Sequence, residues 1–114
     1  MALNRTSIAA GTTGAVPIGG GGDNVVTSVV FQLTQASGSF SVTPQAFLEQ
    51  TANTAQNVQY VNLATGAVAS AGTAITTAGI YGVFAPGLSV QLNVTSVATN
   101  PLVVDAAWVA GRVL

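Results

Sequence analysis

The sequence contains no cysteine, no histidine and no lysine among its 114 residues. Disulfide bonds are therefore excluded, as are the commonest general base, the thiol nucleophile and the Schiff-base amine. The preferred zinc ligands are missing too, and no loop has the dense Asp and Asn spacing of a calcium site around Asp23 or Asp105. We accordingly expect a protein that is not an enzyme and that binds neither a metal nor a cofactor.

Charge is equally scarce, and the formal net charge is −1. The five charged residues are Arg5, Asp23, Glu49, Asp105 and Arg112. The two arginines lie near opposite ends of the chain, so there is no basic stripe to neutralise phosphates, and we expect no binding to nucleic acid. The three carboxylates are far apart in sequence, and nothing in the pattern pairs two of them for glycosidase chemistry.

The remaining surface must be hydrated by uncharged groups, chiefly the 36 Thr, Ser, Asn and Gln residues. These residues interrupt the apolar ones every few positions, so no run of 18 apolar residues exists and we expect no membrane span. The beginning of the chain, MALNRTSIAAG, has neither a basic start nor a continuous apolar segment. It therefore does not resemble a secretory signal.

The first 24 residues differ in composition from the rest. They hold six of the thirteen glycines and show no sustained apolar period. Such a segment cannot offset its ordering entropy alone, so it is predicted to be either a disordered tail or an extended arm that becomes ordered on a neighbour. The arm residues expected to make contacts are Leu3, Arg5, Ile8, Val16 and Ile18.

From Val25 onward, apolar and polar residues alternate with a period of two, which indicates β-strands. Turn signals such as Pro86-Gly87 and Asn100-Pro101 separate the alternating segments. The predicted strands cover residues 25–34, 40–49, 57–63, 67–70, 73–76, 80–85, 88–95 and 102–110. Pro44 within the second of them suggests an edge position or a bulge.

Seven or eight short strands at about ten-residue spacing predict an all-β fold, an antiparallel β-sandwich or a jelly-roll-like barrel. The predicted organisation is an N-terminal arm over residues 1–24 and a β-sandwich domain over residues 25–114. The last strand is apolar on both sides, so its second face is expected to meet the arm or another subunit. The domain residues assigned to this contact are Val103, Asp105, Val109 and Arg112.

Two features leave alternatives open. Asp105 interrupts an apolar strand, and a carboxylate there needs either water or a partner. Either this face of the strand is solvated, or the carboxylate meets an arginine or an amide of the same chain or across an interface. Tyr60, Tyr81 and Trp108 are consistent with a sugar-stacking platform, although aromatic residues on strands more often pack in the core.

Residues 75–108 resemble a pattern found in small β-sandwich structural proteins of tailed bacteriophages. In those proteins a strand with Gly and an aromatic residue leads through a Gly-Leu turn into an alternating strand that ends in Val-Thr. The matching residues are Gly79, Tyr81, Gly87, Leu88, Val90, Leu92, Val94 and Thr95, and the segment GSFSVTPQAFLEQ matches loosely. The resemblance implies a virion component, either a capsid decoration (cement) protein or a tail or fibre module. The predicted arm favours the first, because such a segment can become ordered along a neighbouring shell subunit by strand addition. We therefore expect the protein on the capsid surface, made in the host cytoplasm.

The leading hypothesis is a capsid decoration (cement) protein that binds the outside of a phage shell and bridges neighbouring subunits. Its partners would be the major capsid protein and further copies of this chain, most plausibly as a trimer. The alternative is a tail or fibre module that binds a host receptor or glycan. A bacterial pilus-like subunit is disfavoured because no secretory signal is evident.

Overall fold

The alternating segments of the chain form the strands of two antiparallel sheets. The structure is a computed structural model that describes residues 2–19, 25–47, 55–84 and 89–111. Its ten strands are β1 (Ala2–Ile8), β2 (Gly14–Gly19), β3 (Val25–Thr34), β4 (Gly38–Phe47), β5 (Gln56–Asn57), β6 (Tyr60–Asn62), β7 (Val68–Ala69), β8 (Gly79–Phe84), β9 (Ser89–Thr99) and β10 (Leu102–Gly111).

Six strands form one sheet in the order β1-β10-β3-β8-β6-β7, and four form the other in the order β2-β9-β4-β5. Every pairing is antiparallel. Inward-facing apolar side chains of both sheets form a single buried cluster, which makes the molecule a β-sandwich. The prediction of an all-β antiparallel sandwich is confirmed.

The core follows directly from the period of two. In β3 the side chains of Val29, Phe31 and Leu33 are fully buried, whereas the residues between them face outward. The same alternation buries Leu92 and Val94 of β9. Burying a side chain of this kind stabilises the fold by roughly 1.5–3 kcal/mol before entropy is counted.

The first nineteen residues differ from the expected arm. Strand β1 pairs with β10 in unbroken register from Ala2↔Trp108 to Ile8↔Leu102. Strand β2 pairs with β9, beginning at Gly14↔Val94. In the described part of the predicted arm, β1 is therefore an edge strand of the six-stranded sheet and β2 an edge strand of the four-stranded sheet. Gly20 to Asn24 lie outside the described residues.

These two segments are ordered on their own sandwich because each buries an apolar side chain in the core. The sequence does not reveal this, because the apolar residues there are isolated and follow no regular period. Ile8 and Ile18 both belong to the core cluster and are almost completely buried. The segments gain ladder hydrogen bonds and burial from strands that come last in the sequence, which offsets the entropy cost of ordering them. No boundary at residue 24 is visible in the core, because both sides of it contribute to one cluster.

The remaining predicted strands correspond well to observed ones, with local differences. The segment 57–63 is divided into β5 and β6, and the segment 73–76 contributes an isolated bridge between Ile75 and Val42. A register shift between Ser41 and Val42 accompanies Pro44 in β4. The Pro44 carbonyl accepts a hydrogen bond from Val58 N–H, so the Pro44 nitrogen also faces the side of the short strand β5. The missing N–H of Pro44 costs little there, because β5 makes few pairs with β4.

Amide side chains close one end of the sandwich. Gln35 Nε2 donates to the carbonyl oxygens of Ser39, Ala98 and Asn100 at 3.2, 3.0 and 2.9 Å. Asn100 Nδ2 in turn donates to Ser37 Oγ at 2.6 Å. These bonds join the β3–β4 turn to the β9–β10 turn without using a charged group.

Candidate functional site

The outer face of the six-stranded sheet carries a row of small and apolar residues that crosses all six strands. The pairing registers place its members opposite one another in sequence of strands. They are Leu3, Ala107, Val30, Gly82, Val61 and Val68. With neighbouring strands about 4.8 Å apart, the row is about 24 Å long. We call this outer surface the apolar face.

Larger side chains extend the row on both sides. Leu63 lies over Gly82, since a Cβ at Gly82 would be 3.7 Å from the Leu63 methyl carbons. Ile80 flanks the row, and Phe84 is 78% exposed. Leu3 at one end of the row is 77% exposed and Val68 at the other end is 63% exposed. A contiguous exposed apolar surface of this kind is typical of a contact surface for another macromolecule.

An ion pair lies on the same face, near the Leu3 end. Arg5 Nε donates to Asp105 Oδ1 at 2.6 Å and Arg5 Nη2 donates to Asp105 Oδ2 at 2.9 Å. Arg5 and Asp105 face each other across β1 and β10. The hydrogen bonds from Arg5 hold the pKa of the Asp105 carboxyl below its usual value, and the carboxylate raises the pKa of Arg5. The pair is exposed to solvent and leaves the described part of the face electrically neutral.

The opposite outer face, which belongs to the four-stranded sheet, is polar but uncharged in its described part. Gln91 Nε2 donates to Gln45 Oε1 at 2.8 Å, and Gln45 Nε2 donates to Asn57 Oδ1 at 3.0 Å. This amide ladder crosses β9, β4 and β5. Thr43 and Asn93, one row further along, are also paired across the strands. We call this surface the amide face.

The residues predicted to make arm contacts fall into two groups. Ile8 and Ile18 are buried in the core, and Val16 packs against it. Leu3 and Arg5 are exposed on the apolar face. The buried members hold the first two strands on their own sandwich, which leaves Leu3 and Arg5 as the members that a partner can reach.

The contact residues predicted on the last strand lie in β10, which is the neighbour of β1 in the same sheet and is not covered by it. Val103 and Asp105 are half-buried on the apolar face. The predicted contact between this face and the arm is corrected, because β1 lies alongside β10 in the same sheet. The alternative that Asp105 meets an arginine is confirmed, and its partner Arg5 comes from the same chain. Arg112 and the side chain of Val109 lie outside what the structure describes.

The candidate sugar platform is not assembled from its tyrosines. Tyr60 and Tyr81 are buried and meet edge to face, with ring centroids 5.8 Å apart. Their hydroxyl groups donate to the carbonyls of Thr73 and Thr77 at 3.1 and 2.6 Å. Burial raises the pKa of each phenol. Both tyrosines therefore have core roles.

Trp108 remains accessible at the side of the sandwich. It packs against Gly19, where a Cβ would lie only 2.8 Å from the indole Cε3. The indole lines a hollow of about 310 Å³ together with Asn4, Ser89 and other residues of both sheets. The hollow thus places an aromatic ring beside the side-chain amide of Asn4.

Sequence reasoning did not find the apolar face, because its row has no pattern along the chain. Val30, Gly82 and Val61 are outward residues of separate strands, and only the pairing register aligns them. One usable signal was the presence of apolar residues on both sides of β10.

Among the described residues, no group of His, Cys, Asp or Glu could hold a metal ion. No helix in the described ranges has the length and apolar character of a membrane span.

No family model matches this chain, and no curated protein matches it. Its fold is similar to that in the crystal structure of the SPBc2 prophage-derived protein YomS, with a TM-score of 0.62. The similarity covers 96% of each chain at 14% sequence identity. This similarity concerns the fold.

Proposed function

We propose that the chain is a non-enzymatic structural protein of a bacteriophage particle, and specifically a capsid decoration protein. In this role it binds the outside of the shell, with the major capsid protein as partner, and bridges neighbouring subunits to stabilise them. The observation that carries the proposal is the difference between the two outer faces. The apolar face suits a protein partner, and the amide face suits solvent.

The bridging role fits the size of the face. The six strands have between two and ten residues each. At about 3.3 Å along the strand and 4.8 Å across it per residue they offer roughly 600 Å², the lower end of what one partner contributes to a stable interface. Apolar burial on this scale does not depend on salt, and the Arg5–Asp105 pair leaves no uncompensated charge to be desolvated. The fold similarity to a prophage-derived protein supports a phage origin.

The mechanism differs from a clamp made by a free arm. Because Ile8 and Ile18 are core residues, removing the first 22 residues would remove part of the core as well as any contact with the shell. The attachment surface is therefore the apolar face itself. Assembly as a homo-oligomer, with a trimer favoured, and a location on the virion surface remain part of the proposal.

The test uses particles of the phage or prophage whose genome encodes the chain, prepared without this protein. Purified protein is added and particle occupancy is measured by co-sedimentation. Phe84→Gln on the apolar face should reduce occupancy at least tenfold. Thr95→Gln, at an exposed site of the four-stranded sheet, is the matched control and should leave occupancy unchanged.

Absence of wild-type binding, together with absence of the protein from purified particles, would reject the decoration role. Equal binding by the wild type and both variants would keep the role but reject the apolar face as the attachment surface.

A second candidate function is a tail or fibre module that binds a receptor or glycan. The hollow that contains Trp108 and Asn4 is the observation in its favour, because an indole face and an amide suit a sugar ring. A glycan array probed with wild type and Asn4→Ala tests it. Binding that Asn4→Ala weakens supports this function, and an array without any signal counts against it.

A further inference from the structure

In the part of the chain that the structure describes, the sandwich has four edge strands, β1, β2, β5 and β7, and three of them carry features that hinder pairing with another strand. β5 and β7 have two residues each. β2 contains Pro17, and its register with β9 shifts between Pro17 and Gly19. Short strands, prolines and bulges are the usual devices by which a sheet edge avoids pairing with another chain.

The fourth edge strand, β1, has none of these devices. It is seven residues long, contains no proline and pairs with β10 without a register shift. Its charged residue, Arg5, does not protect the edge by repulsion because Asp105 neutralises it. Within the described ranges, β1 pairs on one side only.

The hydrogen bonds of the sheet identify the backbone groups that face the open side of β1. The Ile80 carbonyl accepts from Leu63 N–H, so Ile80 points its backbone groups away from β3. Its partner Gln32 consequently bonds to Asp105 in β10. Asp105 then points away from its other partner, Arg5. By alternation, the N–H and C=O groups of Leu3, Arg5 and Ser7 face outward.

We propose that β1 pairs antiparallel with β1 of a second copy of this chain, about a twofold axis. The register with Arg5 opposite Arg5 and Leu3 opposite Ser7 uses every outward N–H and C=O group of the three residues. The two sheets then become one sheet of twelve strands, six from each copy. The inference does not rest on the proposed function, and it names a dimer where the proposed function favours a trimer.

Charge and surface are compatible with this pairing. The two Arg5 side chains lie opposite each other, which alone would be unfavourable. Each guanidinium, however, makes two bonds to Asp105 and so leans over β10, away from the new contact. Directly opposite residues of an antiparallel pair project to the same side, so the two apolar faces become continuous.

A second copy fits this edge better than any other described strand of the chain. Pairing with itself satisfies all outward groups of β1, whereas β5 or β7 could satisfy two residues at most. A contact of one surface with the same surface closes after two copies.

The experiment compares proline substitutions at two adjacent positions of the full-length chain. Ser7→Pro removes an outward N–H and places the ring against the incoming strand, whereas Thr6→Pro removes an N–H that bonds to β10. Ser7→Lys adds an edge charge and leaves the backbone intact. Sedimentation from about 1 µM to about 1 mM protein spans moderate and weak dimers. Thermal unfolding is recorded in parallel.

The wild type should form dimers, and Ser7→Pro and Ser7→Lys should weaken self-association at least tenfold with little change in Tm. Thr6→Pro should instead lower the Tm clearly. A wild type that stays monomeric at every concentration, a trimer, or a dimer that survives both Ser7 variants at full strength would overturn the proposal. If Ser7→Pro fails to fold while Thr6→Pro folds normally, the assignment of which N–H groups of β1 face outward is wrong.

Discussion

Two glycines show how differently the same residue type is used in this sandwich. Gly38 begins β4 with φ of 110°, and a Cβ there would lie against the carbonyl oxygen of Ala98. Gly82 lies in the middle of β8, where a Cβ would meet nothing closer than the Leu63 side chain at 3.7 Å. Of these two positions, only Gly38 has a backbone conformation and surroundings that exclude a side chain.

Gly38→Ala should therefore destabilise the protein by at least about 2 kcal/mol, because it combines a positive φ with a backbone clash. Gly82→Ala should be neutral or slightly stabilising, because alanine loses less entropy on folding. Urea unfolding followed by circular dichroism measures both. A Gly38→Ala protein as stable as Gly82→Ala would contradict the described β3–β4 turn.

At the same scale, the sequence indicated that Asp105 needed a partner but not which one. A carboxylate in an apolar strand must be solvated or paired, and this general rule predicted its situation. The choice of Arg5 depends on β1 lying beside β10, a pairing between residues a hundred positions apart. Local sequence patterns contain no information on such a pairing.

The first two strands show why an element can be missed while its neighbours are found. β3 and β9 were predicted because apolar and polar residues alternate over 25–34 and 88–95, and β10 because an apolar stretch follows the Asn100-Pro101 turn signal. β1 and β2 are short, and Gly and Pro residues interrupt the segment that contains them. They are stabilised by pairing with β10 and β9, near the other end of the sequence. A prediction from their own composition therefore gives less order than the structure shows.

Ile18 and Leu3 provide a test of this assignment. Ile18→Ala should lower the free energy of unfolding by about 2–5 kcal/mol, because it opens a cavity in the core. Leu3→Ala should change it by about 0.5 kcal/mol or less, because that side chain is exposed. Chemical denaturation measures both values. Equally small effects would show that the N-terminal residues are not part of the folded sandwich.

For the whole molecule, a neutral surface implies a stability that hardly depends on pH or salt. The one described ion pair is exposed, and such pairs contribute little and are screened by salt. The Asp105 carboxyl has a lowered pKa in the folded state, so its contribution is complete above the unfolded pKa near 4 and is lost as the pH falls through the folded value. The phenols of Tyr60 and Tyr81 have raised pKa values, so their contribution is lost only as the solution becomes strongly alkaline.

We therefore expect the Tm to vary by no more than a few degrees between pH 5 and pH 9, and between low and moderate NaCl concentrations. Sodium sulfate should raise it, because sulfate strengthens apolar burial. Differential scanning calorimetry provides the measurement. A steep dependence on NaCl would mean that charged groups outside the described residues contribute strongly to stability.

The pairing of β1 with β10 also determines when the protein can fold. Ala2 lies opposite Trp108, so β1 cannot pair until a segment about a hundred residues further along the chain is available. β2 waits in the same way for β9. Contacts so distant in sequence close slowly, so we expect this sandwich to fold slowly. During that interval its N-terminal strands are exposed, and copies made side by side on one messenger RNA are at risk of exchanging them.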